Sequence, residues 1–203
     1  DIDFTGILDA FSRFCADSPV PVIAKETGFG IRPREALALV HAGARYVDLA
    51  GSGGTNWSVV ESYRTDGPLQ AAARELDEWG APTAILLAAS NTPQLRGTVI
   101  ASGGVRNGMH VAKSLAMGAA MVGMALPFAR AVRDDGVAGG IALVETIAKT
   151  LRTVMVLTSS RTVAELAQVE LWETEAFRSA TAAFASADSK TPVGGRLRAP
   201  TAG

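Results

Sequence analysis

The chain has 203 residues, with 19 basic and 20 acidic side chains for a net charge of −1, and 48% of it is apolar. That content supports one buried core, or a piece of a larger one, and the balanced charge leaves no footprint for nucleic acid or an anionic membrane surface. The one cysteine, Cys15, excludes an internal disulfide and fits a reducing cytoplasm.

The chain opens Asp-Ile-Asp-Phe rather than on Met, so a native start is not expected here, and nothing in these residues reads as a secretory signal. Phe4, Ile7, Leu8, Phe11, Phe14 and Cys15 recur at helical spacing, and Pro19 and Pro21 break that pattern. Val20–Lys25 (VPVIAK) reads as a short buried strand. Pro33 opens the next helix, where its missing N–H costs nothing. Ala36, Leu37 and Val40 give that helix its inner face, and Gly43 stops it. Tyr46–Ala50 (YVDLA) is the second strand, and a Gly-rich loop, Gly51–Gly54, follows. Asp66 and Pro68 begin a helix with Leu69, Ala73, Leu76 and Trp79 on one side. Thr83–Ser90 is apolar and fits helix or strand; helix is the reading taken. Thr98–Ser102 (TVIAS) is the third strand. Asn107 caps a helix whose buried side is Val111 and Leu115, with Met109 a further candidate, and Gly118 ends it. Met121–Ala125 (MVGMA) is the fourth strand. A long helix covers about Val137 to Leu157, and another roughly Val163 to Ser179. The runs without charge, Gly80–Leu95 and Ser114–Ala129, are broken by Pro or Gly and fall short of the ~20 residues of a bilayer span. From Ser186 the composition turns small and polar, so 1–185 reads as the folded unit and 186–203 as a flexible tail.

Strands alternating with helices argue for a parallel sheet with helical crossovers. Four such units could make a doubly wound sheet or half of a (β/α)8 barrel. The loops favour the barrel. Ser102–Gly108 (SGGVRNG) lies between a strand and a helix N-terminus, where glycines let backbone N–H groups approach an anion and the helix dipole favours it. By itself that is equally a plain turn. The next strand, however, ends Gly123-Met124-Ala125-Leu126-Pro127, and paired loops after the last two strands of a barrel are a common phosphate site. Lys25 leaves an apolar strand at the same rim. It reads either as an ion pair with Glu26 or Asp48 or as a cation for a flavin or phosphate. Thr55, after Gly51–Gly54, can donate or accept a hydrogen bond, and Trp57 can wall a pocket or simply pack. His41 lies at the opposite rim and reads as structural. His110 lies in the first turn of a helix and reads as a surface residue. The Asp134-Asp135 pair reads as a solvated loop. No Cys/His cluster has metal-ligand spacing, and neither G-x-S-x-G nor a P-loop is present.

In chain order, PVIAKETGFG, VDLAGSGGTNW, WGAPTA, IASGGVRNG and LAMGAAMVGMALPF resemble the second half of type 2 isopentenyl-diphosphate isomerase, over about Asp1 to Arg161. That family is a (β/α)8 TIM barrel holding FMN. The resemblance implies that this chain supplies about the last four β/α units plus C-terminal helices. It implies that Lys25 and Thr55 contact FMN, and that Gly104, Val105 and Arg106, with Ala125 and Leu126 through backbone groups, bind its phosphate. Ala50 stands where the family often has Ser, which removes one side-chain contact. The implied reaction interconverts isopentenyl and dimethylallyl diphosphate, with reduced flavin acting in proton transfer. NADPH can reduce the flavin, and Mg²⁺ helps hold the substrate diphosphate.

The family's substrate- and metal-binding motif has no match in this chain, so no catalytic or metal residue is expected in it. The implied partners are the N-terminal half of the barrel, the isoprenoid diphosphate and further copies of the protein, since exposed half-barrel edges demand a partner. Two other readings stand beside this one. An FMN oxidoreductase of the 2-hydroxy-acid oxidase type would carry a catalytic His after the second strand, where this chain has Ser52. A non-catalytic flavin- or phosphate-binding module is the other.

Overall fold

The computed structural model describes residues 4–190, so of the tail expected over 186–203 the residues 191–203 lie outside the described residues. Its strands are β1 (Ile23–Lys25), β2 (Tyr46–Asp48), β3 (Val99–Ala101) and β4 (Met121–Val122). They form one sheet in the order β1-β2-β3-β4, and every neighbouring pair is parallel. Spatial order therefore equals sequence order. A doubly wound sheet reverses its order at a switch point, whereas a barrel winds one way. The sheet is a four-stranded arc of a (β/α)8 barrel, as expected.

The helices among the described residues are α1 (Ile7–Asp17), α2 (Pro33–His41), α3 (Trp57–Ser62), α4 (Gly67–Glu75), α5 (Thr83–Ser90), α6 (Gly108–Ala116), α7 (Leu126–Leu157), α8 (Val163–Leu166) and α9 (Glu175–Lys190). Local chemistry sets their starts. Pro33 stands in the first turn of α2, and Asn107 Oδ1 accepts the His110 N–H at 2.9 Å to begin α6.

Strand alternation splits the sheet into two faces. Ala24, Val47, Leu49, Val99 and Ala101 pack with Ala36, Leu86, Leu87 and Leu95 in the layer between sheet and helices. Each such large side chain, Leu49 and Leu86 being fully buried, contributes about 1.5–3 kcal/mol. By register Ile23, Lys25, Tyr46, Asp48, Ile100 and Met121 share the other face, the inside of the arc. That face is open: Ile23 is 50% and Met121 39% exposed. The apolar residues Phe4, Ile7 and Phe14 at and before α1 are exposed as well, and α7 has no buried residue. Among the described residues no helix is long and apolar enough to cross a membrane.

Several elements differ from the sequence reading. The strands are shorter than read: β2 and β4 lose their C-terminal residues to the rim loops, β1 loses Val20–Val22 at its N-terminal end, and β3 loses one residue at each end. The six-residue α3 follows the Gly-rich loop, started by Asn56 Oδ1, which accepts the Val59 N–H at 3.1 Å. The apolar stripe of α4 is not buried: Leu69, Leu76 and Trp79 are exposed, and so is Met109 on α6. The long helix starts earlier, at Leu126, and breaks at Gly136 (φ 62°, ψ −153°) next to the predicted start at Val137. Asp134 and Asp135 thus lie on an exposed helical face rather than in a loop, with Asp134 2.7 Å from Arg133 Nε.

The C-terminal helix is divided. After the four-residue α8 the chain re-forms a helix at Glu175, and α9 runs through Lys190, into the segment read as tail. The reason is a buried carboxylate. Asp188 Oδ2 accepts the Arg34 N–H at 3.1 Å, and its Oδ1 lies 3.1 Å from Arg34 Nε. This pair fastens α9 across α2, while Phe184 packs on the core. Removing the carboxylate in Asp188→Ala leaves the buried Arg34 guanidinium, among the described residues, with only Glu35 Oε1, 3.8 Å away. A loss of about 3 kcal/mol is expected, read as a lower urea midpoint together with faster amide exchange along α9. Unchanged exchange in α9 would show that the pair does not hold it.

Candidate functional site

The C-terminal ends of the strands carry the residues with chemistry. Lys25 ends β1 on the inner face with its side chain 56% exposed. Its Nζ donates to Glu26 O at 2.7 Å and lies 3.6 Å from Asp48 Oδ2. The ion pair is therefore with Asp48, and Glu26 offers only its carbonyl. The Glu26 carboxylate turns instead into its own loop. Its Oε2 accepts the backbone N–H groups of Gly28, Phe29 (2.6 Å) and Gly30 (3.0 Å). Burial pushes this carboxyl's pKa up, but the N–H groups of Gly28, Gly30, Phe29 and Thr27 together outweigh it and hold it below the ordinary value.

Asp48 is a buried carboxylate at the end of β2. Its Oδ1 accepts Ser102 Oγ–H at 2.6 Å and the Ala50 N–H at 3.1 Å. Ala50 has φ 40°, a left-handed conformation that costs a residue with a Cβ about 1 kcal/mol or more. The turn is held by Asp48 on one side and by Gly51 N–H donating to Ser102 O at 3.1 Å on the other.

The loops after β2 and β3 lie against each other. A Cβ on Gly103 would stand 2.0 Å from Gly51 O, and one on Gly104 would stand 2.7 Å from Gly53 O. Both glycines also have positive φ, 91° and 76°, so only glycine fits this approach. Arg106 Nη2 donates to Gly53 O at 3.0 Å, and Thr83 Oγ1 binds Ser102 O (2.9 Å) and Gly103 O (2.7 Å) from below. Among the described residues the N–H groups of Gly104 and Val105 have no acceptor. Thr55 is exposed further along the loop after β2, where its carbonyl and the Trp57 ring abut Gly28.

The candidates from sequence are thus found at one rim, and the structure joins them unequally. Lys25 connects through Asp48 to Ser102, Thr55 meets the loop after Lys25, and Gly104 and Arg106 contact Gly53. Ala125 and Leu126, at the exposed N-terminus of α7, share the rim through the register of β4 rather than by contact; Gly123 N–H donates to Ala101 O at 2.8 Å. Sequence reasoning missed the Asp48–Ser102 link, the Glu26 anchor and the Thr83 latch. The first had a signal, a carboxylate inside the apolar run YVDLA.

His41 is exposed at the far end of α2, and His110 Nδ1 accepts the Arg106 N–H at 3.3 Å. Among the described residues no cluster of three His, Cys, Asp or Glu side chains could hold a metal ion. A cavity of about 340 Å³ lies behind the rim between α5 and α6. Its walls include Gly103–Arg106 but not Lys25, Thr55, Ala125 or Leu126; Lys25 lies on the open inner face instead.

A model of the FMN-dependent dehydrogenase family matches residues 8–173. An isopentenyl-diphosphate delta-isomerase of Pyrococcus abyssi is 43% identical over 176 residues, 84% of this chain and 46% of that protein. One from Bacillus pumilus is 37% identical over 171 residues, 84% of this chain and 47% of that protein. The chain spans about half the length of the curated relatives it matches. Among solved structures, a protein described as a lactate oxidase of Pediococcus acidilactici superposes with a TM-score of 0.62 at 23% identity, over 83% of this chain and 41% of that one. A mandelate oxidase superposes at 0.59 and 22%, over 80% and 41%. At that identity the likeness shows the fold alone.

The Glu26 anchor makes a pH prediction. A carboxyl whose folded-state pKa is lowered contributes stability above its unfolded value, ordinarily 4.5, and that stability is lost as pH falls through the folded value. Glu26→Gln should be less stable than the parent near neutrality, and the gap should narrow as pH falls below about 4.5. Urea titrations of both proteins across that range test it; a gap independent of pH would remove the charge on Glu26 from the account.

Proposed function

The chain belongs to the FMN-dependent dehydrogenase family, and from that membership we propose that it is the C-terminal, flavin-holding half of an FMN-dependent isomerase interconverting isopentenyl and dimethylallyl diphosphate. The observation that carries the reading is the rim itself. It sets a lysine on the inner face and, two strands away, free backbone N–H groups in a loop only glycine can form. The curated relatives at 37–43% identity are named for that isomerisation, and their names suggest the substrate.

The residues fit the cofactor. The N–H groups of Gly104 and Val105, the Arg106 guanidinium and the N-terminus of α7 at Ala125 and Leu126 offer hydrogen bonds and positive potential to a phosphate. Lys25 and Thr55 are left for the rest of the flavin. When bound and reduced, the flavin supplies the acid–base group for proton addition and removal. The side chains of this half bind and orient it; none is placed as a proton carrier. Asp48 is occupied by Ser102, Ala50 and Lys25. Ser52, where an oxidase of the 2-hydroxy-acid type would carry its histidine, uses its N–H to bind Ala81 O at 2.9 Å. The diphosphate and Mg²⁺ contacts, and NADPH as reductant, belong in this reading to the N-terminal half of the barrel. That half would also cover the open inner face. A cytoplasmic homo-oligomer completes the proposal.

FMN titration of the apo-protein tests the site. Lys25→Ala should weaken binding by roughly 1.5–3 kcal/mol, about ten- to hundredfold; equal affinity would remove Lys25 from it. Residues 1–203 alone should not isomerise isopentenyl diphosphate when flavin is reduced anaerobically and Mg²⁺ is added, because they carry no match to the family's substrate- and metal-binding motif, which would orient the alkene. Near-normal formation of dimethylallyl diphosphate by this chain alone would show the substrate site to be misplaced.

A further inference from the structure

Asp48 is buried in the sheet, yet one of its oxygens points along the inner face to Lys25. We infer that Asp48 is a positioning residue that holds the Lys25 ammonium in its flavin-binding pose, with Ser102 fixing the carboxylate in turn. The inference rests on the flavin reading above and adds a residue to it.

The geometry separates the two carboxylate oxygens. Oδ1 is spent on structure, accepting Ser102 Oγ–H at 2.6 Å and the Ala50 N–H at 3.1 Å. Those bonds tie the end of β2 to the end of β3 and leave the carboxylate little freedom to rotate. Oδ2 has one neighbour of opposite charge, Lys25 Nζ at 3.6 Å. Lys25 has three N–H donors. One meets Glu26 O at 2.7 Å, and the contact with Asp48 is an ion pair rather than a tight hydrogen bond. The side chain is 56% exposed, so a donor remains for a ligand. A lysine with this exposure samples many rotamers unless something fixes it, and fixing it on binding opposes affinity. Asp48 does the fixing beforehand. It also stands directly beside Lys25 in the β1–β2 register, so the pair crosses the two strands at one level.

Asp48→Asn isolates this role. Its carbonyl oxygen can still accept from Ser102 and Ala50, while the amide that replaces Oδ2 repels the ammonium. FMN affinity is measured by fluorescence quenching for the parent, Asp48→Asn, Lys25→Met and the double variant, with the apo-protein melting point of each. Asp48→Asn should weaken FMN roughly three- to tenfold in the parent background, and should have no effect on FMN where Lys25 is already Met. The absorption spectrum of bound flavin in Asp48→Asn should shift toward that of Lys25→Met. An equal loss in both backgrounds would make Asp48 a structural tie only and overturn the inference, as would parent-like affinity in Asp48→Asn. Failure of the parent chain to take up FMN would overturn the flavin reading itself, and this inference with it. If Asp48→Asn does not fold, Ser102→Ala reports on the same tie: an FMN loss that vanishes in the Lys25→Met background supports the inference, and one that persists overturns it.

Discussion

The rim is organised around a carboxylate that is largely withdrawn from water. An ionised group inside a sheet is tolerated only when it is paired and hydrogen-bonded, and Asp48 meets that requirement with partners from three places: Lys25 on β1, Ala50 in the turn just after β2 and Ser102 after β3. Satisfying it therefore fixes the relative height of three neighbouring strand ends. The strained turn at Ala50 follows, since its N–H is held to Asp48 while the next residue, Gly51, is held to Ser102. The close approach of the Gly51–Gly54 loop to Gly103 and Gly104 then follows from that turn. Loop geometry at the site is a consequence of one buried charge more than of the loops' own propensities.

The architecture was legible in the sequence to the extent that it is periodic. The four strands, the helix of Thr83–Ser90 and the long helix before Leu157 stood out through apolar runs bounded by Pro and Gly. What failed was of two kinds. Apolar stripes on α1 and α4 announced burial, yet Phe4, Ile7, Leu69 and Leu76 are exposed, because periodicity reports a face and not what covers it. Long-range pairs such as Asp188 with Arg34 leave no periodic trace, so α9 continued where composition alone said tail. At the rim the same division holds. Gly103–Gly104 and Lys25 could be picked out by residue type, whereas the Asp48–Ser102 bond joins residues far apart in sequence and leaves no local pattern.

The open inner face is more than missing material. Ile23 and Met121 lie at the two edges of the sheet, and both edge strands keep unpaired backbone groups. Closing the arc would bury these residues and pair those edges at one time, so covering the face and completing the rim are a single event. A ligand that lies across β1 to β4 at that rim would bridge the whole width of the arc. Flavin binding and barrel closure are thereby coupled in this reading: each removes freedom that the other would otherwise have to remove.

The carboxylates at the rim are committed to structure. A side-chain base on the inner face would need a free carboxylate or imidazole near the strand ends. The carboxylate that lies there, Asp48, is committed to holding structure, and the one in the neighbouring loop, Glu26, is enclosed by the N–H groups of Gly28, Phe29 and Gly30. Of the histidines, His41 lies at the far end of α2, and His110 lies beside the glycine loop with its Nδ1 accepting the Arg106 N–H. The polar groups left over are donors: Lys25, and the N–H groups of Gly104 and Val105. A surface rich in donors suits an anionic, acceptor-rich molecule. Under the flavin reading proposed above, the acid and base of the reaction come from the bound flavin.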